Sequence, residues 1–227
     1  MSKLNTPKIA GALIGAALFL LGNTAFATVI NFDQDDQGNN LIAGSDFPSA
    51  TDFDDLGVTF SAASGQLNYF NSTCTTGSSG TCTGNDDDLS FGLGNVLILQ
   101  ENNVALSNPN DEAGGGTIVA TFATAVFLET IGFGDLETDG NLNAFSDQEA
   151  RVTVFDINGV QIFQTIVGNG NGLTSSIDFG LANVGRVETQ FRGSGSITSF
   201  AFAVPAPATL GLLGLGLLGF GARSRRR

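Results

Sequence analysis

The chain has 227 residues, with 9 Lys and Arg against 22 Asp and Glu, a net charge of −13, no His, no Trp, one Tyr and two Cys. Without His there is no imidazole base, no Ser-His-Asp triad and no His-ligated zinc, and two Cys cannot build a Cys₄ metal site. So acidic a chain is also ill suited to nucleic acid, whose phosphates are bound through Lys and Arg.

The N-terminus has the three parts of a secretory signal peptide. Lys3 and Lys8 give a positive start, residues 9–21 are apolar, and Ala25-Phe26-Ala27 has the small-x-small spacing that signal peptidase accepts. This predicts a signal peptide over 1–27, cut after Ala27. The apolar run is too short for a permanent span of about 30 Å.

Residues 28–204 hold all 22 acids but only Arg151, Arg186 and Arg192 as bases and no Lys, a net charge of −19. These 177 residues suffice for a real core, so the expectation is one domain and not a disordered tail. Short apolar or alternating runs separated by Gly, Asn, Asp and Ser predict an all-β fold, a single antiparallel β-sandwich. In chain order the runs are 29–33, 57–62, 66–70, 96–100, 117–122, 127–133, 151–156, 160–167, 175–179, 186–192 and 196–204. In 186–192, Val187, Thr189 and Phe191 share one face, and Glu188 and Gln190 the other. Asp156-Ile157-Asn158-Gly159 joins two strong runs and predicts a hairpin. Gly168-Asn169-Gly170-Asn171-Gly172 opens no helix and reads as a turn, not a nucleotide loop. Most Phe are expected to fill the core.

Cys74 and Cys82 enclose a Thr/Ser/Gly loop. In an oxidising compartment they are expected to form a disulfide, which chain entropy values at about 2–3 kcal/mol for so short a loop.

The acids fall in clusters: Asp33/Asp35/Asp36, Asp52/Asp54/Asp55, Asp86/Asp87/Asp88, Asp111/Glu112 and Asp135/Glu137/Asp139. Calcium takes six to eight oxygens from loop carboxylates and carbonyls. The Asp-x-Glu-x-Asp-Gly spacing of Asp135, Glu137, Asp139 and Gly140 looks like the front half of an EF-hand loop. Position 12 would be Ser146, and no flanking helices are predicted, so the expectation is a calcium site in a β-sandwich loop. Asp86 and Asp88 with Asp111 and Glu112 form the second choice, since adjacent carboxylates repel one another and a cation relieves them. The competing reading makes all of these turn and surface residues, because Asp caps nearby backbone groups. Carboxylates alone can hydrolyse glycosides, but nothing in the sequence marks a converging pair, and only Tyr69 is available to stack a sugar ring. The chain is therefore expected not to be an enzyme. Any glycan recognition would run through calcium or hydrogen bonds.

The C-terminus carries Val204-Pro205-Ala206-Pro207, a Gly/Leu/Phe run over 208–222, and Arg223-Ser224-Arg225-Arg226-Arg227. As a helix, 208–222 is about 22 Å long, short for a bilayer. The Arg cluster would resist translocation. This order resembles the PEP-CTERM sorting signal of exported Gram-negative bacterial proteins, also known as an ice-binding-protein C-terminal motif. In it, Pro-Glu-Pro precedes a short hydrophobic helix and an Arg cluster; Ala206 stands here where that family most often has Glu. No flat Thr array accompanies it, since Thr73, Thr75 and Thr76 fall in a loop.

The resemblance implies that 205–227, with Pro205, Pro207, Arg225, Arg226 and Arg227, is a sorting and anchoring segment read by an exosortase-type enzyme after passage through the export machinery. It further implies a cell-surface or matrix location and an association with exopolysaccharide. A second resemblance covers Asn85-Asp86-Asp87-Asp88-Leu89, Gly94-Asn95-Val96-Leu97-Ile98-Leu99-Gln100-Glu101 and Pro109-Asn110-Asp111-Glu112-Ala113-Gly114-Gly115-Gly116. This block is similar to one in exported bacterial proteins whose domains look like jelly-roll sandwiches akin to carbohydrate-binding modules. It implies a jelly-roll-like fold and, as a second functional expectation, a calcium-dependent carbohydrate-binding module.

Overall fold

A computed structural model describes residues 27–46, 48–49, 51–73, 89–102, 104–136, 149–168 and 170–205. Ala27–Ala203 form one compact unit. Among the described residues there are nine strands: β1 (Ala27–Ile30), β2 (Val58–Ala62), β3 (Gln66–Asn71), β4 (Asn95–Gln100), β5 (Gly116–Leu136), β6 (Ala150–Asp156), β7 (Gln161–Val167), β8 (Gly170–Phe191) and β9 (Ser196–Ala203). They make one antiparallel sheet in the order β3-β4-β9-β5-β8-β6-β7, with β1 added to β9 and β2 to β5.

The sheet becomes a sandwich because its two longest strands bend. Near its start β5 pairs with β2 (Val58 opposite Phe122) and with the end of β8 (Ala120 opposite Val187). Beyond a register shift between Thr121 and Val126, β5 pairs with β9 (Ile131 opposite Phe200) and with the start of β8 (Ile131 opposite Ile177). Bulges bend and twist a strand without ending it. In β8 the bend falls where Gly180 and Asn183 adopt φ of 61° and 62°. One layer is thus β2, the first part of β5, the end of β8, β6 and β7. The other is β3, β4, β9 with β1, the rest of β5 and the start of β8. The runs at 117–122 and 127–133, expected as separate elements, are one strand, and so are those at 175–179 and 186–192.

Phe rings close the space between the layers. Phe60 of β2 meets Phe200 of β9 with centroids 5.6 Å apart, and Phe122 of β5 meets Phe202 at 5.1 Å, all in edge-type geometry. Phe200 and Phe202 are fully buried. The alternation expected in 186–192 holds, with Val187, Thr189 and Phe191 buried and Gln190 exposed. β4 breaks alternation for a physical reason: Leu97 and Leu99 face the main core, while Val96 and Ile98 are covered by Phe70, Leu89 and Phe91. The hairpin at 156–159 forms as expected. Asp156 accepts hydrogen bonds from the Asn158 and Val160 amides (2.9 and 2.8 Å), and Gly159 takes the left-handed φ of 81° that the turn requires.

Ala27, expected as the last residue of the signal peptide, occupies the first position of β1, opposite Ala203. Ala25, Cys74, Cys82, Pro207, Arg225, Arg226 and Arg227 lie outside the described residues; Pro205 is exposed just past β9. Among the described residues, no helix is long and apolar enough to cross a membrane.

Phe200 touches rings in both layers, so Phe200→Ala is expected to lower the unfolding free energy by about 3–5 kcal/mol. Urea denaturation followed by circular dichroism measures this loss, and a loss under about 1 kcal/mol would mean that the layers do not share this core.

Candidate functional site

The loop between β1 and β2, residues 31–57, carries seven Asp. Its start is held by Phe32, whose φ of 62° turns a fully buried ring toward Phe53, Phe60 and Tyr69 (6.0, 5.5 and 6.3 Å). A non-Gly residue in this conformation costs roughly 1–2 kcal/mol, which burial of the ring offsets. The next residue, Asp33, accepts the Asn95 amide at 2.8 Å, its carboxylate lying against Gly94, where φ is 88° and a Cβ would collide with it. The Asn95 side chain donates back to the Phe32 and Leu41 carbonyls (3.1 and 2.6 Å). Both ends of the first excursion are thereby fastened to β4.

Further along, Asp carboxylates organise the loop. Asp35 accepts the Gln37 and Asn39 amides at 2.9 and 2.7 Å and the Asn39 side chain at 2.8 Å. The Asn39 side-chain bond, with backbone donors behind it, holds its carboxyl below the usual range against some desolvation. Asp46 accepts the Ile42 amide at 2.7 Å. Asp52 accepts the Ser49 amide and hydroxyl (3.0 and 2.5 Å) and the Tyr69 hydroxyl at 2.7 Å. Burial, then this bond to Asp52, pushes the Tyr69 phenol far above its ordinary value. Tyr69, the sole residue expected to be able to stack a sugar, is a core residue with no exposed ring.

What the loop leaves open is a cleft of about 350 Å³ lined by Asp35, Asn39, Asn40, Leu41, Ser45, Asp46 and Asp52. That is the small end of ligand-site sizes. Apart from Leu41, its lining is carboxylates, amides and a hydroxyl, with no base and no aromatic ring among the described residues. It is equipped to receive hydrogen bonds from a polyhydroxylated or cationic ligand. Beside it, Asp36, Asp54 and Asp55 each place a carboxylate oxygen within 4.8 Å of the others.

Of the predicted calcium ligands, the structure brings Asp111 and Asp135 together from different sets. Ser194 lies between them, its hydroxyl 2.5 Å from Asp111 and 2.8 Å from Asp135. Asp111 also accepts the Gly195 amide (2.5 Å) and Asp135 the Gly172 amide (2.8 Å). Both are buried, and Asp135 sits at the end of β5 with φ of 56°. Glu112 is turned away and accepts from the Asn102 and Gly114 amides (3.0 and 3.1 Å). Glu137, Asp139, Asp86 and Asp88 lie outside the described residues. The β1–β2 cleft is the site that sequence reading missed. Its two Asp clusters are visible as runs, but their convergence comes from the Asp36 amide donating to the Asp52 carbonyl at 2.9 Å.

Fold and site define an antiparallel β-sandwich that carries an acidic cleft and is followed directly by a C-terminal address. That address is identified as follows: residues 203–227 match the PEP-CTERM protein-sorting motif, which implies an exported protein passing through the cell envelope. No curated protein matches the chain. Among solved structures, it is similar to a Streptococcus pneumoniae fucose binding module (15% identity, TM-score 0.29, covering 48% of this chain and 71% of that one). Another is the lectin binding domain of Lectinolysin complexed with Lewis b (10%, 0.33, covering 65% and 91%). A third is the family 32 carbohydrate-binding module from C. perfringens NanJ in complex with galactose (15%, 0.33, covering 65% and 93%).

Gly94→Ala is expected to push Asp33 off the Asn95 amide and to cost about 1–3 kcal/mol, read from the urea midpoint. Asp156, like Asp35, is held below the usual range, chiefly by the Val160 amide. A depressed carboxyl contributes stability that is present above its unfolded pKa and lost as pH falls through its folded one. Melting temperatures from about pH 6 to about pH 3 should therefore fall less steeply in the Asp35→Asn/Asp156→Asn double variant. Equal slopes would show that these hydrogen bonds do not set acid lability.

Proposed function

We propose that this is an exported, non-catalytic protein of the cell surface or extracellular matrix of a Gram-negative bacterium, and that its β-sandwich binds carbohydrate, with exopolysaccharide as the natural target class. The observation that carries the export reading is the sorting motif at 203–227, which begins on the last residue of β9. Such a motif calls for an exosortase-type processing enzyme and at least transient contact of the tail with the membrane. The carbohydrate reading rests on the cleft in the β1–β2 loop, whose carboxylates and amides suit sugar hydroxyls and whose lack of a ring leaves recognition to hydrogen bonds.

Support for binding without cleavage comes from how the acids are used. A glycoside hydrolase keeps one carboxyl protonated near neutral pH. Here Asp35, Asp46 and Asp52 are each taken up as acceptors for the loop's own amides, and Asp52 also for the Ser49 and Tyr69 hydroxyls. We further propose that calcium supports the binding, given the acidic loops.

Two experiments test this reading. Deleting residues 205–227 is expected to redirect the protein from the envelope to the soluble exported fraction; unchanged size and location would overturn the sorting reading. A glycan array in calcium and in EDTA is expected to show a defined oligosaccharide bound by the wild type and bound about tenfold more weakly by Asp46→Asn, the loss of roughly one charge-assisted hydrogen bond. No binding under either condition would overturn the carbohydrate reading.

A further inference from the structure

We propose that the outer edge of β7 is a self-association surface, where a second copy of this chain adds its own β7 antiparallel about a two-fold axis at Gln164. β7 ends the strand order: it pairs with β6 on one side and, among the described residues, with no strand on the other. Edge strands are usually blunted by Lys, Pro or an inward charge, because their unpaired amides and carbonyls are a template for another strand. Gln161-Ile162-Phe163-Gln164-Thr165-Ile166-Val167 has no charge, no Pro and no Gly. Its one irregularity, the register shift between Val154 and Phe155 of β6, leaves residues 163–167 in regular step with that strand.

Hydrogen-bond parity decides which backbone groups face outward. The Arg192 amide donates to the Glu149 carbonyl at 3.0 Å. In the β6–β8 register, Arg151 and Thr153 therefore turn their backbone groups to β8, and Ala150, Val152 and Val154 turn theirs to β7. Opposite those three stand Val167, Thr165 and Phe163. The amides and carbonyls of Gln164 and Ile166 thus point away from the sheet, and Ile162, in the irregular step, has no partner in β6. Among the described residues, the one hydrogen bond these outward groups receive is from the Thr165 hydroxyl to the Ile166 carbonyl, at 3.5 Å. With Gln164 set opposite Gln164 of a second copy, Ile162 meets Ile166 and Ile166 meets Ile162. Hydrogen-bonded pairs of this kind exchange two N–H···O bonds each. Ile162, 41% exposed, and the exposed Gln164 then gain cross-strand partners, with no like charges opposed.

Sequence symmetry and charge select a second copy as the occupant. Ile162 and Ile166 stand at equal distances from Gln164, so the strand complements its own reverse. Residues 28–148 hold eighteen acids and no base, whereas 149–192, which contain β6, β7 and β8, hold four acids and all three Arg of the domain. Arg151 lies on β6 opposite Ile166, and Arg186 on β8 opposite Phe155. Two domains that repel one another through their acidic loops can approach where charge is nearly balanced. A two-fold pairing uses this edge in both copies and closes, so it gives a dimer and not a filament.

The test uses the full chain in detergent, followed by sedimentation equilibrium with the detergent density-matched. The wild type is expected to be a dimer at micromolar concentration. Gln164→Lys and Gln164→Glu each set a charge against its own copy at the axis. Each should raise the dimer dissociation constant roughly fivefold or more, while the circular dichroism spectrum stays that of the wild type. An equal mixture of the two variants should recover the dimer, since Lys then faces Glu, and that recovery shows both variants to be folded. A monomeric wild type would overturn the proposal. Variants as dimeric as the wild type would also overturn it, because association through any other surface does not depend on residue 164. A mixture no more dimeric than its components would overturn it as well. The carbohydrate and sorting readings stand or fall separately from all of these outcomes.

Discussion

Everything in this domain depends on Phe rings that meet between its two layers. Phe60 and Phe122, from the β2/β5 side, reach Phe200 and Phe202, from β9, and the same cluster continues through Phe53 and Phe32 into the base of the β1–β2 loop. Rings of this size bury on the order of 150–250 Å² each. They carry the stabilisation in a domain where residues 28–204 set 22 acids against three Arg and no Lys. An acidic domain of this kind must be stabilised from the inside.

The acids follow a related logic. Most described Asp residues of the β1–β2 loop serve as acceptors for neighbouring amides, as Asp is suited to do in irregular backbone. Asp52 goes further: by taking the Tyr69 hydroxyl, it ties the wall of the cleft to the core itself. Asp33 does the same toward β4. The cleft is thus shaped by long-range bonds from a rigid sheet, which is what a preformed site needs.

Strand positions were largely legible in the sequence, because period-2 patterns and Asn-Gly or Gly-rich turns report on local geometry. Where the reading split β5 and β8, it mistook a bulge for a boundary. Residues 123–126, Ala-Thr-Ala-Val, contain no turn former, yet the register shift interrupts the alternation as a turn would. The unbroken apolar run of β4 was readable as a strand, but not the cover that Leu89 and Phe91 give its outer face. The site was less legible still. Which Asp anchors and which lines a cleft is decided by partners such as Asn95 and Tyr69, distant in sequence from the loop they hold. Asp111 and Asp135 meet for the same reason, through Ser194 in the turn before β9.

One further consequence follows from the place of β9 in the sheet. It is the last strand described along the chain, yet it lies in the interior of the strand order, bonded to β5 on one edge and to β1 and β4 on the other. In a chain exported N-terminus first, β1 has no partner, and the aromatic core lacks Phe200 and Phe202, until residues 196–203 have crossed. The segment that follows is the sorting motif itself. The sheet is therefore closed by the stretch of chain that runs straight into the motif, and non-local pairing of this kind comes late.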